Sequence, residues 1–161
     1  MVPDALIHCL ALLASLGCGL ISGFFFAFSV VVMRALAKQP APQAIATMQS
    51  INVVVLNRWF LGAFFGTAAV CLVALVLAAA SRREANAAWL AVGSVLYVVG
   101  TIGVTIRFNV PRKAALERVS PSSDNGATLW ARYLVTWTAW NHVRGLAAFL
   151  AAACFAIGLD D

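Results

Sequence analysis

Residues 137–159 read WTAWNHVRGLAAFLAAACFAIGL. The uncharged part of this stretch, Gly145 to Leu159, is 15 residues long. As a helix it covers about 22 Å at 1.5 Å per residue, short of a hydrocarbon core about 30 Å thick. A complete span must therefore start between Thr138 and Trp140. It then submerges Asn141, His142 and Arg144 beneath the lipid headgroups. Polar groups at that depth are costly and mark functional sites unless they snorkel to the surface.

The rest of the chain agrees with a membrane reading. Of 161 residues, 63% are hydrophobic and only 11% are charged. Soluble domains carry about 25% charged residues. Three further apolar runs are long enough to cross: Leu6 to Met33, Trp59 to Ala80, and Ala87 to Ile106. With Thr138 to Leu159 they make four. The runs are continuous rather than alternating, which argues against a β-barrel. The expected fold is an all-α transmembrane four-helix up-down bundle, forming one integral membrane domain over residues 1–161. The uncharged run from Ala5 to Met33 exceeds the h-region of a signal peptide, about 7–15 residues, so it reads as a span.

Between the first two spans, Pro42 can open a short helix with Ala44, Ile45, Met48, Ile51 and Val55 on one face. This predicts an amphipathic cytoplasmic helix. Asn52 falls on its apolar face and should have a hydrogen-bond partner in the bundle. The stretch SPSSDNGA, 120–127, reads as a turn-rich part of the third loop. Trp89, Trp130 and Tyr133 read as anchors at the membrane surface.

Charge sets the expected orientation. Arg34, Lys38 and Arg58 flank the first loop; Arg107, Arg112, Lys113, Arg118, Arg132 and Arg144 flank the third. The opposite side has Arg82 and Arg83, with Asp4, Asp160 and Asp161 near the ends. The positive-inside rule then places both termini outside the cytoplasm of a plasma (inner) membrane. The net charge of +5 is explained by topology, so no nucleic-acid partner is expected. Cys9, Cys18, Cys71 and Cys154 lie in apolar runs without CxxC spacing and read as small hydrophobes. His8 and His142 fall near opposite ends of the bundle, so no shared metal site is expected.

Small residues recur every fourth position at Ala11, Ser15, Gly19, Gly23 and Ala27, with Gly62 and Gly66 in the second span. Such stripes let helices approach closely in lipid. They fit packing within one bundle or a homo-oligomer formed through Ser15, Gly19 and Gly23.

On a helical wheel Trp137, Asn141, Arg144, Ala148, Ala151 and Phe155 share a side, opposite Leu146, Phe149 and Leu150. Asn141 and Arg144 are thus expected to point inward, with His142 at the boundary. Up-down connectivity brings Asn57 and Arg58, and Arg107, Asn109, Thr101 and Thr105, to the same level. The result would be a cationic, tryptophan-walled pocket with no acid. Arginines without carboxylates suit an anionic ligand such as a phenolate, an enolate or a lipid phosphate.

Four stretches resemble the anthrone-oxygenase-like family of small four-helix membrane proteins: GLISGFFFAFSVVVMRAL (19–36), AIATMQSIN (44–52), FNVPRKAAL (108–116) and WTAWNHVRG (137–145). Asn109 and Pro111 match the family's asparagine–proline motif, while Lys113 stands where a second asparagine is usual. The resemblance implies cofactor-free oxidation of an anthrone to an anthraquinone by O₂. It implies His142 as base, with Arg144 and Arg107 stabilising the oxyanion. Asn52, Asn109, Asn141 and Arg58 would bind the substrate, and Trp137 and Trp140 would stack on its rings. The expected partners are the lipid bilayer and a hydrophobic aromatic or quinone-like molecule. A non-catalytic membrane protein that binds a lipid or hydrophobic ligand, or serves as a subunit of a larger assembly, stays open beside this. A channel is disfavoured, since no polar stripe crosses the full span.

Overall fold

The computed structural model describes residues 4–80 and 84–159, and Arg82, Arg83, Asp160 and Asp161 lie outside the described residues. The fold is all-helical among the described residues. Four helices are long and apolar enough to cross a membrane: α1 (Ala5–Leu36), α3 (Arg58–Ala80), α4 (Ala87–Glu117) and α5 (Asp124–Ile157). A shorter helix, α2 (Ala41–Val54), joins α1 to α3. The chain is an integral membrane protein by this reading.

The long helices close a ring in which α1 packs on α3, α3 on α4, α4 on α5 and α5 on α1. Sequence neighbours are spatial neighbours, which is the up-down arrangement. Backbones come closest at Gly17, where a side chain would strike Thr67, and at Gly100, where an added Cβ would lie 2.7 Å from the Cβ of Ala147. Of the small-residue stripe, Ala11 is buried and the Ser15 hydroxyl donates to the Ala152 carbonyl at 3.0 Å. Gly19 and Gly23 instead face outward, with open space around them. The open space extends to Gly62 and Gly66 as well.

Two apolar cores result. One runs between the four long helices and includes Ile21, Phe25, Phe64, Tyr97 and Phe155. The other lies under α2, where Ile45 and Met48 meet Leu116, Trp130, Tyr133 and Trp137. Asn57 starts α3 by accepting the Trp59 and Phe60 amides, both at 3.0 Å, so it is a helix cap. The Gln49 amide donates to the Leu116 and Val119 carbonyls at 2.9 and 3.1 Å and ties α2 to the end of α4.

Here the structure departs from the sequence expectation. The last helix begins at Asp124, not near residue 138, and runs for 34 residues. The Ser123 hydroxyl accepts the Gly126 amide at 3.0 Å and caps it. Trp130, Tyr133 and Trp137 then lie on one face, spaced three and four residues apart, and bury against α2. Trp130 and Tyr133 are therefore core residues and not surface anchors. At 1.5 Å per residue α5 is about 51 Å long, well beyond a hydrocarbon core of about 30 Å.

Three segments are π-helical: Phe28–Val32 in α1, and Leu96–Gly103 and Thr105–Asn109 in α4. Such widened turns occur mostly as local insertions at functional sites. Ser29, Thr101, Thr105 and Asn109 all sit on them, and all four face the inner wall of α5.

Candidate functional site: a buried arginine beside an aromatic cavity

Arg144 lies between the two apolar cores and is 7% exposed. Its guanidinium carbon is 3.9 Å from the Phe25 ring centroid and 5.3 Å from that of Trp137. Both rings present electron-rich faces to the cation. Gly145 follows, and a side chain there would press on Phe25. The glycine thus lets α1 close over the arginine.

Asn141 fixes the guanidinium. Its Oδ1 accepts Arg144 Nε at 2.9 Å and Nη2 at 2.6 Å. Its Nδ2 donates to the Phe25 carbonyl and to Ser29 Oγ, both at 2.7 Å. All hydrogen-bonding capacity of this amide is used, which also fixes which way round it sits. On the α4 side Arg144 Nη1 donates to Thr105 Oγ1 at 3.2 Å, and Thr105 donates onward to the Thr101 carbonyl at 2.7 Å. Thr101 Oγ1 donates to the Arg144 carbonyl at 3.1 Å. Three of the five guanidinium N–H groups are thereby engaged with protein acceptors, and two are left over.

Beside Arg144 is a cavity of about 330 Å³. Small-molecule sites span about 300–1,000 Å³. Phe24, Phe28, Phe60, Phe64 and Trp137 form aromatic walls, and α2 closes the end with Met48 and Asn52. Leu56 and Phe65 on one side and Ile106 and Val110 on the other line it while remaining solvent- or lipid-exposed, which marks an opening between α3 and α4. Its lining contains no Asp or Glu.

Two buried polar atoms in that lining lack partners. Asn109 donates through Nδ2 to the Trp137 carbonyl at 3.3 Å, but its Oδ1 accepts nothing. Asn52 Nδ2 makes no hydrogen bond of good geometry, but the Tyr133 hydroxyl, a buried group also short of a partner, lies within reach of it in the bundle. These asparagines are 3% and 4% exposed. Leaving such a group unsatisfied costs about 1–3 kcal/mol. An acceptor, a donor and an arginine with spare N–H groups thus line one apolar slot.

Of the residues singled out from sequence, Arg144, Asn141, Asn109, Asn52 and Trp137 come together here. Arg107 and Arg58 do not. Both are exposed, with guanidiniums 5.4 Å from the Phe108 ring and 5.0 Å from the Trp59 ring. Trp140 stacks on Phe108 at 3.6 Å, away from the cavity. His142 is exposed and lines a separate, wider groove between α1 and α5, alongside Gly19 and Gly23. Ser29 and the Phe25 carbonyl enter the site without having been singled out, and Lys113, noted only as a departure from the asparagine–proline motif, lines the cavity. Ser29, a lone hydroxyl after the FFFAF cluster, was the available signal for the first two. Among the described residues no three His, Cys, Asp or Glu side chains converge on a point.

The family model described as anthrone oxygenase matches residues 57–154, more than half of the chain. The chain belongs to the anthrone oxygenase family. Membership suggests an oxygenase-like role. The matched segment includes Thr105, Asn109, Trp137 and Arg144, which line the cavity of this anthrone oxygenase family member from α4 and α5, and Asn141, which holds Arg144. No curated protein and no solved structure matches the chain.

Proposed function

We propose that the cavity binds a flat, anthrone-like or quinol-like aromatic substrate with its oxygen against Arg144, and that the protein promotes its oxidation by O₂ without a cofactor. One observation carries this reading: a buried guanidinium with two unused N–H groups borders an aromatic-walled cavity that contains no carboxylate. A cation so placed is preorganised for a charge that develops on substrate oxygen.

The chemistry then needs little else. Loss of a proton from the methylene opposite the anthrone carbonyl gives an anthrolate, with its negative charge on the oxygen beside Arg144. The anthrolate carbon transfers electrons to O₂ and forms a C–O bond. Protonation gives a hydroperoxide, and loss of water leaves the second carbonyl of the quinone. O₂ is reduced to the level of water and the methylene is oxidised to a carbonyl. No His, Asp or Glu lines the cavity. On this reading Arg144 acidifies the substrate by stabilising its anion, and the proton leaves to water at the cavity opening. The opening between α3 and α4 suits a poorly soluble substrate arriving from the bilayer. The Lys and Arg excess around α2 and the α4–α5 turn supports placing that end in the cytoplasm.

The missing carboxylate or histidine base favours a second reading, a non-catalytic binder of a hydrophobic anion. Anthrone-dependent O₂ uptake by purified, metal-stripped protein separates the two. The oxygenase reading expects uptake with anthraquinone as product, falling about 100-fold in Arg144→Gln. Tight anthrone binding with no uptake above the uncatalysed rate would sink it in favour of the binder.

A further inference from the structure

We infer that the ligand of this cavity carries a second anionic group, a carboxylate, at the end remote from Arg144, and that Lys113 recognises it. The inference rests on the reading above, in which Arg144 takes the oxyanion of an aromatic body.

Thr105, Asn109 and Lys113 follow one another at four-residue spacing along α4, and all three line the cavity. Lys113 lies about two turns further along α4 than Thr105, which holds Arg144. The polar groups are therefore ordered along the slot. Arg144 is at one end, Asn109 with an Oδ1 that accepts nothing is midway, and the Lys113 side chain is at the other end. Asn52 lines the slot from α2.

No acid in the cavity lining neutralises either cation. Lys113 does reach Glu117, with Nζ 3.5 Å from Oε1, but Glu117 is outside that lining and its side chain is 41% exposed. An i,i+4 pair in that setting is weak. A carboxylate delivered from within the slot meets a lysine side chain that is only 21% exposed, where its charge is less screened. The matching ligand is a flat fused-ring compound with an ionisable oxygen at one end and a carboxylate at the other. A hydroxyl between them can donate to Asn109.

The test is quenching of tryptophan fluorescence, since Trp137 forms part of the wall. Anthraquinone-2-carboxylate and the uncharged anthraquinone-2-carboxamide are titrated into purified wild-type protein, Lys113→Met and Lys113→Arg. The expected result is about tenfold tighter binding of the carboxylate by wild type. The preference is lost in Lys113→Met and kept in Lys113→Arg, while carboxamide affinity is unchanged in both and reports an intact cavity. Equal affinities in wild type, or a preference that persists in Lys113→Met, overturns the inference alone. Failure of both compounds to bind wild type overturns the functional reading with it. A fatty acid offers the same carboxylate on a different body, so palmitate is titrated in parallel. Tighter binding of palmitate than of the aromatic carboxylate overturns the aromatic assignment.

Discussion

A single oxygen of Asn141 holds Arg144 by two N–H groups, Nε at 2.9 Å and Nη2 at 2.6 Å. The same amide is anchored to α1 through the Phe25 carbonyl and Ser29. Asn141 therefore orients the cation without neutralising it. Burying an unpaired guanidinium costs several kcal/mol, and this clamp, with two aromatic faces, offsets part of that cost.

Asn141→Asp and Asn141→Leu separate orientation from charge. The leucine variant leaves Arg144, Ser29 and the Phe25 carbonyl short of partners and lowers unfolding stability in detergent by about 3 kcal/mol. The aspartate variant pairs with Arg144, which offsets the loss of the bond that Asn141 Nδ2 donates to the Phe25 carbonyl, and its melting curve reports whether the fold is kept. It cancels the positive potential, so anthrone-dependent O₂ uptake falls about 100-fold or more. Uptake at the wild-type rate in Asn141→Asp would show that Arg144 charge has no part in turnover.

His142→Ala is expected to leave O₂ uptake and ligand affinity unchanged. The side chain is exposed in the groove between α1 and α5, whereas Arg144 lines the cavity on the other side. A large loss of kcat with a lost ionisation in the pH–rate profile would restore it as the base.

Asn52→Leu is expected to weaken ligand binding while changing thermal stability little. Its Nδ2 makes no hydrogen bond of good geometry and has only the Tyr133 hydroxyl within reach, so its loss costs the fold no more than about 1 kcal/mol. Weakened binding with an unchanged melting curve marks a residue kept for a ligand. A variant that is destabilised and binds normally would make Asn52 structural.

Gly17→Leu is expected to lower stability by about 1–3 kcal/mol, because α1 and α3 meet there against Thr67. Gly19→Leu, two residues on, meets open space and should leave the melting temperature of the monomer unchanged. Equal destabilisation by both would mean that the α1–α3 contact is elsewhere.

The four spans were legible because continuous apolar length is a strong signal in a bilayer. The inward aim of Asn141 and Arg144 was legible too, from alanines sharing their side of the wheel. Less could be read where both helix faces are apolar, since the usual amphipathic contrast is then weak. That is why Gly19 and Gly23 could be assigned either to the bundle or to its outside. Bilayer length gives only the spanning part of α5, from about residue 138, and does not reveal that the helix continues back to Asp124, where Trp130 and Tyr133 are core residues rather than surface anchors. Their burial depends on α2, a partner distant in sequence. The π-helical turns have no sequence signature, yet they set the register of Ser29, Thr105 and Asn109. Arg58 and Arg107 were expected in the pocket; they lie at its level but exposed on the outer surface, each beside an aromatic ring, Trp59 and Phe108.

The most direct test of a catalytic cation at Arg144 is the ionisation of a bound phenol, read with 2-hydroxyanthraquinone, whose visible absorption changes when it loses its proton. Bound to wild-type protein its apparent pKa should fall by about 1–3 units relative to detergent solution, as beside an unpaired positive charge, and Arg144→Gln should abolish the shift while still binding the compound. An unshifted pKa in the wild-type complex, or the same shift in Arg144→Gln, would contradict it.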